Sequence, residues 1–324
     1  MKSAIQLQER DIALFVELSQ VGLLDTTLIH QRHYRTVSRR RCQQRLHQLH
    51  DHGFTHAVSL TVWYGQRGGG SIPAVHCLTE RGAEAIESIA GSQPQRFLRS
   101  DPKPETLHHR LAVVQSRLAF DDACRATGLP SPEWIMEQDR RTDAQPNDPP
   151  SRQRVLYHEF SAANKKFTCQ PDAACLLKIP RDVNRPAAGT TPLLIYWEVD
   201  RSTERTAQVV NKCPGYTALL ERRDYRRYWP EAEQSPVRVF WVCRSRQRIE
   251  SLSTALRDKP IAKSFRLTTA DDLKPEAAIT SPIWRTIDGD AREILRLPII
   301  VPSPSSLTEP LGYPTPHLPP HIGP

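Results

Sequence analysis

Residues 38–53, Ser-Arg-Arg-Arg-Cys-Gln-Gln-Arg-Leu-His-Gln-Leu-His-Asp-His-Gly, decide how the first third of the chain is read. Ser38 is a helix N-cap residue, and Gly53 supplies a left-handed stop. Cys42, Leu46 and Leu49 recur at helical spacing and predict one buried stripe. The opposite face carries Arg40, Gln43, Gln44 and His47, flanked by Arg39, Arg41 and Arg45. Arg and Gln are the side chains that bond in bidentate fashion to guanine and adenine edges in a major groove. Between His30 and Gly53 there are six Arg against one Asp, a net +5, with five His besides. The whole chain carries 44 Lys+Arg against 36 Asp+Glu, a net +8. More than half of the excess therefore sits in this stretch. A solvated helix face usually mixes both signs; one sign alone predicts a surface for nucleic acid. The five histidines lack Cys or acidic partners at ligand spacing, which favours phosphate contacts or surface positions over metal ligation.

The flanks give the stretch a setting. Ile12, Phe15, Val16 and Leu18 predict an amphipathic helix over Glu9–Gln20, ended near Gly22, and a short second helix follows over Asp25–His33 with Asp25 or Thr26 as its cap. Downstream, Val58, Leu60 and Val62 alternate as in a half-buried strand. Gly65–Gly70 forms a flexible tip around Arg67, and Ile72–Leu78 returns as a second strand. Thr79 caps a last helix with core positions Ala83, Ile86 and Ile89. Three helices followed by a hairpin with a basic, glycine-rich tip predict a winged helix-turn-helix over residues 1–91. Its expected contacts with double-stranded DNA are Arg39, Arg40, Arg41, Gln43, Gln44, Arg45, His47 and Arg67.

Length and composition bound the rest. At 324 residues the chain has room for roughly two domains. No apolar run approaches the ~18 residues needed to span a bilayer, and Met1–Glu9 has no apolar leader segment, so a cytoplasmic protein without membrane contact is expected. Seven scattered cysteines form no CxxC pair, which predicts reduced, buried thiols rather than a zinc site or disulfides. Residues 92–104 read as a linker. Pro298–Pro324, with nine Pro, reads as a disordered Pro-rich tail.

Between them, residues 105–297 alternate helix and strand. A periodic helix over Glu105–Ala126 precedes strands near Glu133–Glu137, Ala173–Ile179, Leu193–Val199 and Val237–Cys243. A helix from Ser202 to about Arg223 lies between the last two, and another near Ile249–Arg257, so an α/β sheet with covering helices is expected. Glu198 and Asp200 are two apart on one strand and leave it on one face, and Asp172 opens the neighbouring strand. Three close carboxylates repel unless a divalent cation neutralises them, so Asp172, Glu198 and Asp200 are the candidate ligands of Mg²⁺ or Mn²⁺ in a catalytic site. This resembles the PD-(D/E)XK nuclease arrangement, with Asp200 in the lysine slot and Lys212 as a migrated lysine on the next helix. Pro214-Gly215 is expected to end or kink that helix. Structural readings compete: Asp200 as a helix cap, Glu198 paired with Arg201 or Arg205, and Asp172 serving only a turn after Pro171. The cluster from Arg222 to Trp229 offers phosphate and base contacts, against a reading in which Tyr225 and Trp229 pack and the arginines are solvated.

The order of motifs is informative as a whole. A predicted winged helix is followed by His108-His109-Arg110-Leu111-Ala112-Val113, Pro171-Asp172-Ala173 and then Glu198-Val199-Asp200-Arg201-Ser202-Thr203-Glu204, with Lys212 and Tyr216 beyond. Over about residues 9–225 this resembles the replication-relaxation (plasmid relaxation) family. The resemblance implies a bacterial plasmid or mobile-element protein that binds DNA and acts in replication initiation or relaxation, either with metal-dependent nicking or as a non-catalytic accessory factor with a degenerate nuclease-like scaffold. Partners implied are duplex DNA, a second copy of the chain, and replication or mobilisation proteins. A tyrosine-type or HUH-type relaxase is disfavoured, because no His-x-His triad lies on a strand.

Overall fold

The computed structural model describes residues 5–59, 73–90, 96, 104–162, 165–181, 189–201 and 204–295. Arg67, the glycine-rich tip around it, most of the expected linker and the Pro-rich tail lie outside these residues. The described chain is a mixed α/β structure that divides into two compact units, Met1–Leu111 and Ala112–Leu297. No helix among the described residues is long and apolar enough to cross a membrane.

The first unit runs α1 (Glu9–Val21), β1 (Leu23–Asp25), α2 (Thr26–His33), α3 (Arg39–Asp51), β2 (Thr55–Val58), β3 (Val75–Leu78) and α4 (Glu80–Ala90). The expected caps are in place. Asp25 Oδ1 accepts the Leu28 N–H at 2.8 Å, Ser38 Oγ accepts that of Arg41 at 3.4 Å, and Gly53 has φ +74°. Cys42, Leu46 and Leu49 are buried, as are Leu14, Phe15, Leu18 and Ile29 of the preceding helices, and each leucine contributes about 2 kcal/mol. The three strands form an antiparallel sheet in the order β1-β3-β2. Two expectations change: β2 begins at Thr55, ahead of the strand expected from Val58, and Ile89 is 44% exposed rather than core. β1 is too short to show a period in the sequence. Gly82 explains how α4 comes so close: a Cβ there would lie 2.2 Å from the Phe54 carbonyl oxygen.

α5 (Pro104–Ala126) contains the division between the units, and the second unit continues from it. It comprises β4 (Glu133–Met136), β5 (His158–Ala162), β6 (Lys165–Cys169), β7 (Ala173–Pro180), β8 (Thr190–Asp200), α6 (Thr206–Arg222), β9 (Val237–Cys243), α7 (Arg246–Leu256), β10 (Phe265–Thr269), β11 (Trp284–Arg285) and β12 (Ala291–Arg292). Seven strands form one sheet in the order β12-β11-β10-β9-β8-β7-β4. β7 runs antiparallel to both of its neighbours, β4 and β8, and β9 and β10 run parallel to β8. One sheet face packs Tyr196, Trp241 and Phe265 with Tyr216 and Leu219 of α6 and Leu252 of α7. On the other, Trp197 meets Phe120, Trp134, Phe240 and Trp284.

Of the two outcomes expected at Pro214-Gly215, an end to the helix is corrected, because α6 runs through both residues for two more turns. Proline in a helix costs about 3 kcal/mol. Burial of Val209, Tyr216 and Leu219 on that helix, at about 2 kcal/mol each, outweighs it. Gly215 allows the contact that accompanies this burial. The hairpin β5–β6 passes so close that a Cβ on Gly215 would sit 2.4 Å from the Thr168 carbonyl oxygen.

Candidate functional site

The basic face of α3 is built from a helix held firmly on its other side. Arg39, Arg40, Arg41, Gln43, Gln44 and His47 are all exposed. The three arginines have no carboxylate partner among the described residues, while His47 lies 3.4 Å from Asp51 one turn on. Arg45 departs from expectation. Its guanidinium turns inward onto Asp11 of α1, with Nη2 2.5 Å from Oδ2, and Nη2 also donates to the Gln6 carbonyl at 2.7 Å. Three of the five histidines are likewise structural. His30 meets the Val37 carbonyl at 2.9 Å, His33 meets Glu17 at 2.6 Å, and His50 meets the Thr55 carbonyl at 3.1 Å. The face left for a ligand is narrower than the charge count alone suggests, and it is almost purely cationic.

In the second unit, strand register assembles the carboxylates. Ala173 pairs with Trp197, so the next step along the antiparallel ladder brings Asp172 beside Glu198. Asp172 also replaces a ladder bond: its Oδ2 accepts the Val199 N–H at 2.8 Å, while its own carbonyl accepts the Glu137 N–H at 2.9 Å. Glu198 is buried, and both of its oxygens are occupied. Lys212 Nζ lies 2.9 Å from Oε2, and the Tyr216 hydroxyl donates to Oε1 at 2.5 Å. Lys212 and Tyr216 are i and i+4 on α6 and therefore share the face that meets β8. Lys212 also reaches Glu204 at 3.1 Å.

Burial pushes the Glu198 carboxyl up to about 7, the nearby charge of Asp172 adds to this, and Lys212 and Tyr216 oppose it. Burial works against a charged Lys212, but Glu198, Asp172 and Glu204 outweigh it and hold the ammonium protonated well above its ordinary range. Cys169, buried close by, is driven well above the usual thiol value by its burial first and by Glu198 second.

Asp200 does not join this group. Its Oδ2 accepts from Arg248 Nε at 2.5 Å, and the same guanidinium donates to Thr206 Oγ1 at 2.9 Å and to the Glu204 carbonyl at 2.8 Å. Arg248 of α7 thereby ties the end of β8 to the start of α6. Asp200 does not cap α6, whose N-cap is Arg205, and Glu198 pairs with neither Arg201 nor Arg205 in the described contacts. Among the described residues no three His, Cys, Asp or Glu side chains gather as a group able to hold a metal ion. A three-carboxylate Mg²⁺ or Mn²⁺ site does not fit the side chains as placed, because Asp200 is committed to Arg248 and both Glu198 oxygens already have donors.

In the cluster from Arg222 to Trp229 the aromatics follow the structural reading, whereas the arginines expected to be solvated have protein partners. Tyr225 and Trp229 are buried, although Tyr225 lies in a 3-10 turn and Trp229 just precedes the next, rather than both lying on an α-helix. Its arginines have partners too: Arg222 donates to the Ser161 carbonyl at 3.2 Å, Arg227 to that of Tyr157 at 2.9 Å, and Arg226 pairs with Glu233 at 2.8 Å. All seven cysteines are free and buried.

The residues missed by sequence reasoning are Asp11 and Arg248, whose partners lie 34 and 48 positions away. Tyr216 carried a readable signal in the i, i+4 step from Lys212. No curated protein and no solved structure shows a match to the chain. Residues 15–233, about two thirds of its length, match the replication-relaxation family. That span takes in α3 and the Asp172–Glu198–Lys212–Tyr216 cluster alike, and the chain belongs to the replication-relaxation family.

Proposed function

We propose that the protein binds duplex DNA through α3 and acts in the replication or relaxation of a plasmid or mobile element. The observation that carries this reading is the outer face of α3, where Arg39, Arg40, Arg41, Gln43 and Gln44 stand exposed on a helix fixed by its buried stripe. Support for a winged helix comes from the order α1-β1-α2-α3-β2-β3-α4 and the antiparallel sheet beneath it. In such a frame α3 is the helix that enters the major groove. Replacing Arg39, Arg40 and Arg41 together by Gln should weaken binding to all sequences and flatten its salt dependence. Replacing Gln43 and Gln44 by Ala should instead lose roughly 1–3 kcal/mol of discrimination per base contact. Unchanged affinity in a fluorescence-anisotropy titration of both variants would remove α3 from the interface.

For the second unit we propose a restriction-endonuclease-like core used as a scaffold. Its support is the succession α5-β4-β7-β8-α6-β9, with three antiparallel strands and a fourth parallel to the third. The scaffold role rests on the internal satisfaction of Glu198 and Asp200. One observation favours a second reading, metal-dependent nicking: Lys212 meets Glu198 from the helix, beside Asp172. Incubating supercoiled plasmid with the full chain and Mg²⁺ or Mn²⁺ separates the two. Open-circular product that disappears in Glu198→Gln and Lys212→Ala establishes nicking; intact supercoiled plasmid establishes the scaffold.

A further inference from the structure

On the sheet face opposite the carboxylates lies a second concentration of positive charge. Val239, Trp241 and Cys243 of β9 and Phe265 and Leu267 of β10 face α6 and α7, so the alternating residues Arg238 and Arg266 face the other way. Arg266 is in register with Phe240, two residues beyond Arg238, and Arg292 of β12 is in register with Trp284, whose ring packs 4.0 Å from that of Phe240. Three guanidiniums from three strands therefore share one side of the sheet.

Two partly buried arginines of this unit meet carboxylates: Arg154 meets Glu137 and Arg248 meets Asp200, both at 2.5 Å. Arg238, half-buried, donates only to its neighbour's carbonyl at Val237, and Arg266 only to those of Lys263 and Phe265. Neither has a carboxylate partner among the described residues; Arg292 has Asp290 at 2.7 Å. Burial holds Arg238 and Arg266 below the ordinary arginine value, and the charges of Arg238 and Arg292 lower Arg266 further. Partly desolvated, mutually repelling cations are stabilised by an external anion with several charges.

We infer that Arg238, Arg266 and Arg292 form a second DNA-binding surface that takes the phosphate backbone, separate from both α3 and the carboxylate cluster. Arg238 registers with Ile195, three residues and about 10 Å along the strand from Glu198. The inference rests on the DNA-binding reading above, and the two are tested side by side.

The full chain is titrated with a labelled random-sequence duplex across about 50 to 200 mM KCl. Each lost phosphate contact reduces the slope of log K against log salt by about 0.9. Arg238→Gln/Arg266→Gln should flatten that slope by roughly 1.8 and weaken binding roughly 60-fold at about 0.1 M salt, with the Tm unchanged or raised. Arg238→Lys/Arg266→Lys should keep the parental slope. An unchanged slope in the Gln variant, a Lys variant as weak as the Gln variant, or a large drop in Tm overturns the inference. Weakening confined to the Arg39/Arg40/Arg41 variant overturns it while leaving the α3 reading intact. Weakening confined to the Arg238/Arg266 variant upholds it and removes α3. Weakening in both upholds both, and in neither overturns both.

Discussion

Arg45→Gln separates a structural arginine from the neighbouring ones proposed to contact DNA. Asp11 is 0% exposed and sits where α1, α2 and α3 meet. It accepts from the Tyr34 hydroxyl at 2.7 Å, from the Gln8 N–H at 2.8 Å and from Arg45 Nη2 at 2.5 Å. Arg45 is the only cation in that set, and its side chain is 14% exposed, so water screens the pair little. Removing one partner of a buried ion pair costs about 3–5 kcal/mol, because the other charge stays buried without compensation. Tyr34 and Gln8 still hold the carboxylate, which places the expected loss near the lower end, about 3 kcal/mol. For a unit of this size that is a fall in Tm on the order of 12–20 °C. Asp11→Asn/Arg45→Gln removes both charges and should recover about half of the loss. Melts followed by circular dichroism measure both variants, and anisotropy at low temperature, where Arg45→Gln is folded, measures its DNA affinity. A variant that melts like the parent yet binds DNA weakly would refute the reasoning and return Arg45 to the face proposed to contact DNA.

Two further outcomes are open to direct measurement. Folding raises the Glu198 carboxyl from 4.5 to about 7, so the folded state holds a proton that the unfolded chain releases; this contribution to stability is present below about pH 4.5 and lost by about pH 7. Glu198→Gln should flatten the decline in urea-unfolding free energy, roughly a few kcal/mol, over that range, since Lys212 keeps Glu204; a variant retaining the parental slope would locate the proton elsewhere. Gly215→Ala forces a Cβ against the Thr168 carbonyl and should cost about 1–3 kcal/mol in a chemical-denaturation curve, whereas an unaltered midpoint would mean that β6 yields freely.

The legible parts of the fold are those whose cause is local. Ser38, the Cys42–Leu46–Leu49 stripe and Gly53 lie within one stretch of chain, and each works through a neighbour a few residues away, so α3 was readable to within a residue. The same holds for α2 with its Asp25 cap and for the apolar runs that became β7 and β9, while β8 begins three residues before its apolar run. β1 failed because three residues define no period, and β5–β6 because its strands are partly polar and lie among turn-forming residues. The possible end of α6 at Pro214 failed for another reason. The local rule is sound, but a hairpin distant in sequence rewards the continued helix with more burial than the proline costs.

Charge was less legible than pattern, and the reason is physical. A sequence shows how many arginines a segment carries, but not which ones a distant carboxylate has already claimed. On α3 one Arg of four turns inward, to an aspartate 34 positions upstream. At the end of β8 two carboxylates that looked equivalent by spacing have opposite surroundings. Glu198 meets a lysine and a phenolic hydroxyl, whereas Asp200 meets a guanidinium 48 positions away that also grips the next loop. The same bookkeeping run in reverse exposes Arg238 and Arg266. They are scattered through the sequence and form no basic run, yet β9 and β10 bring them to one face of the sheet, where neither meets a carboxylate among the described residues. An unpaired cation that has lost part of its water is a stronger pointer to an anionic ligand than a run of solvated ones, because only the former gains by exchanging its surroundings for phosphate.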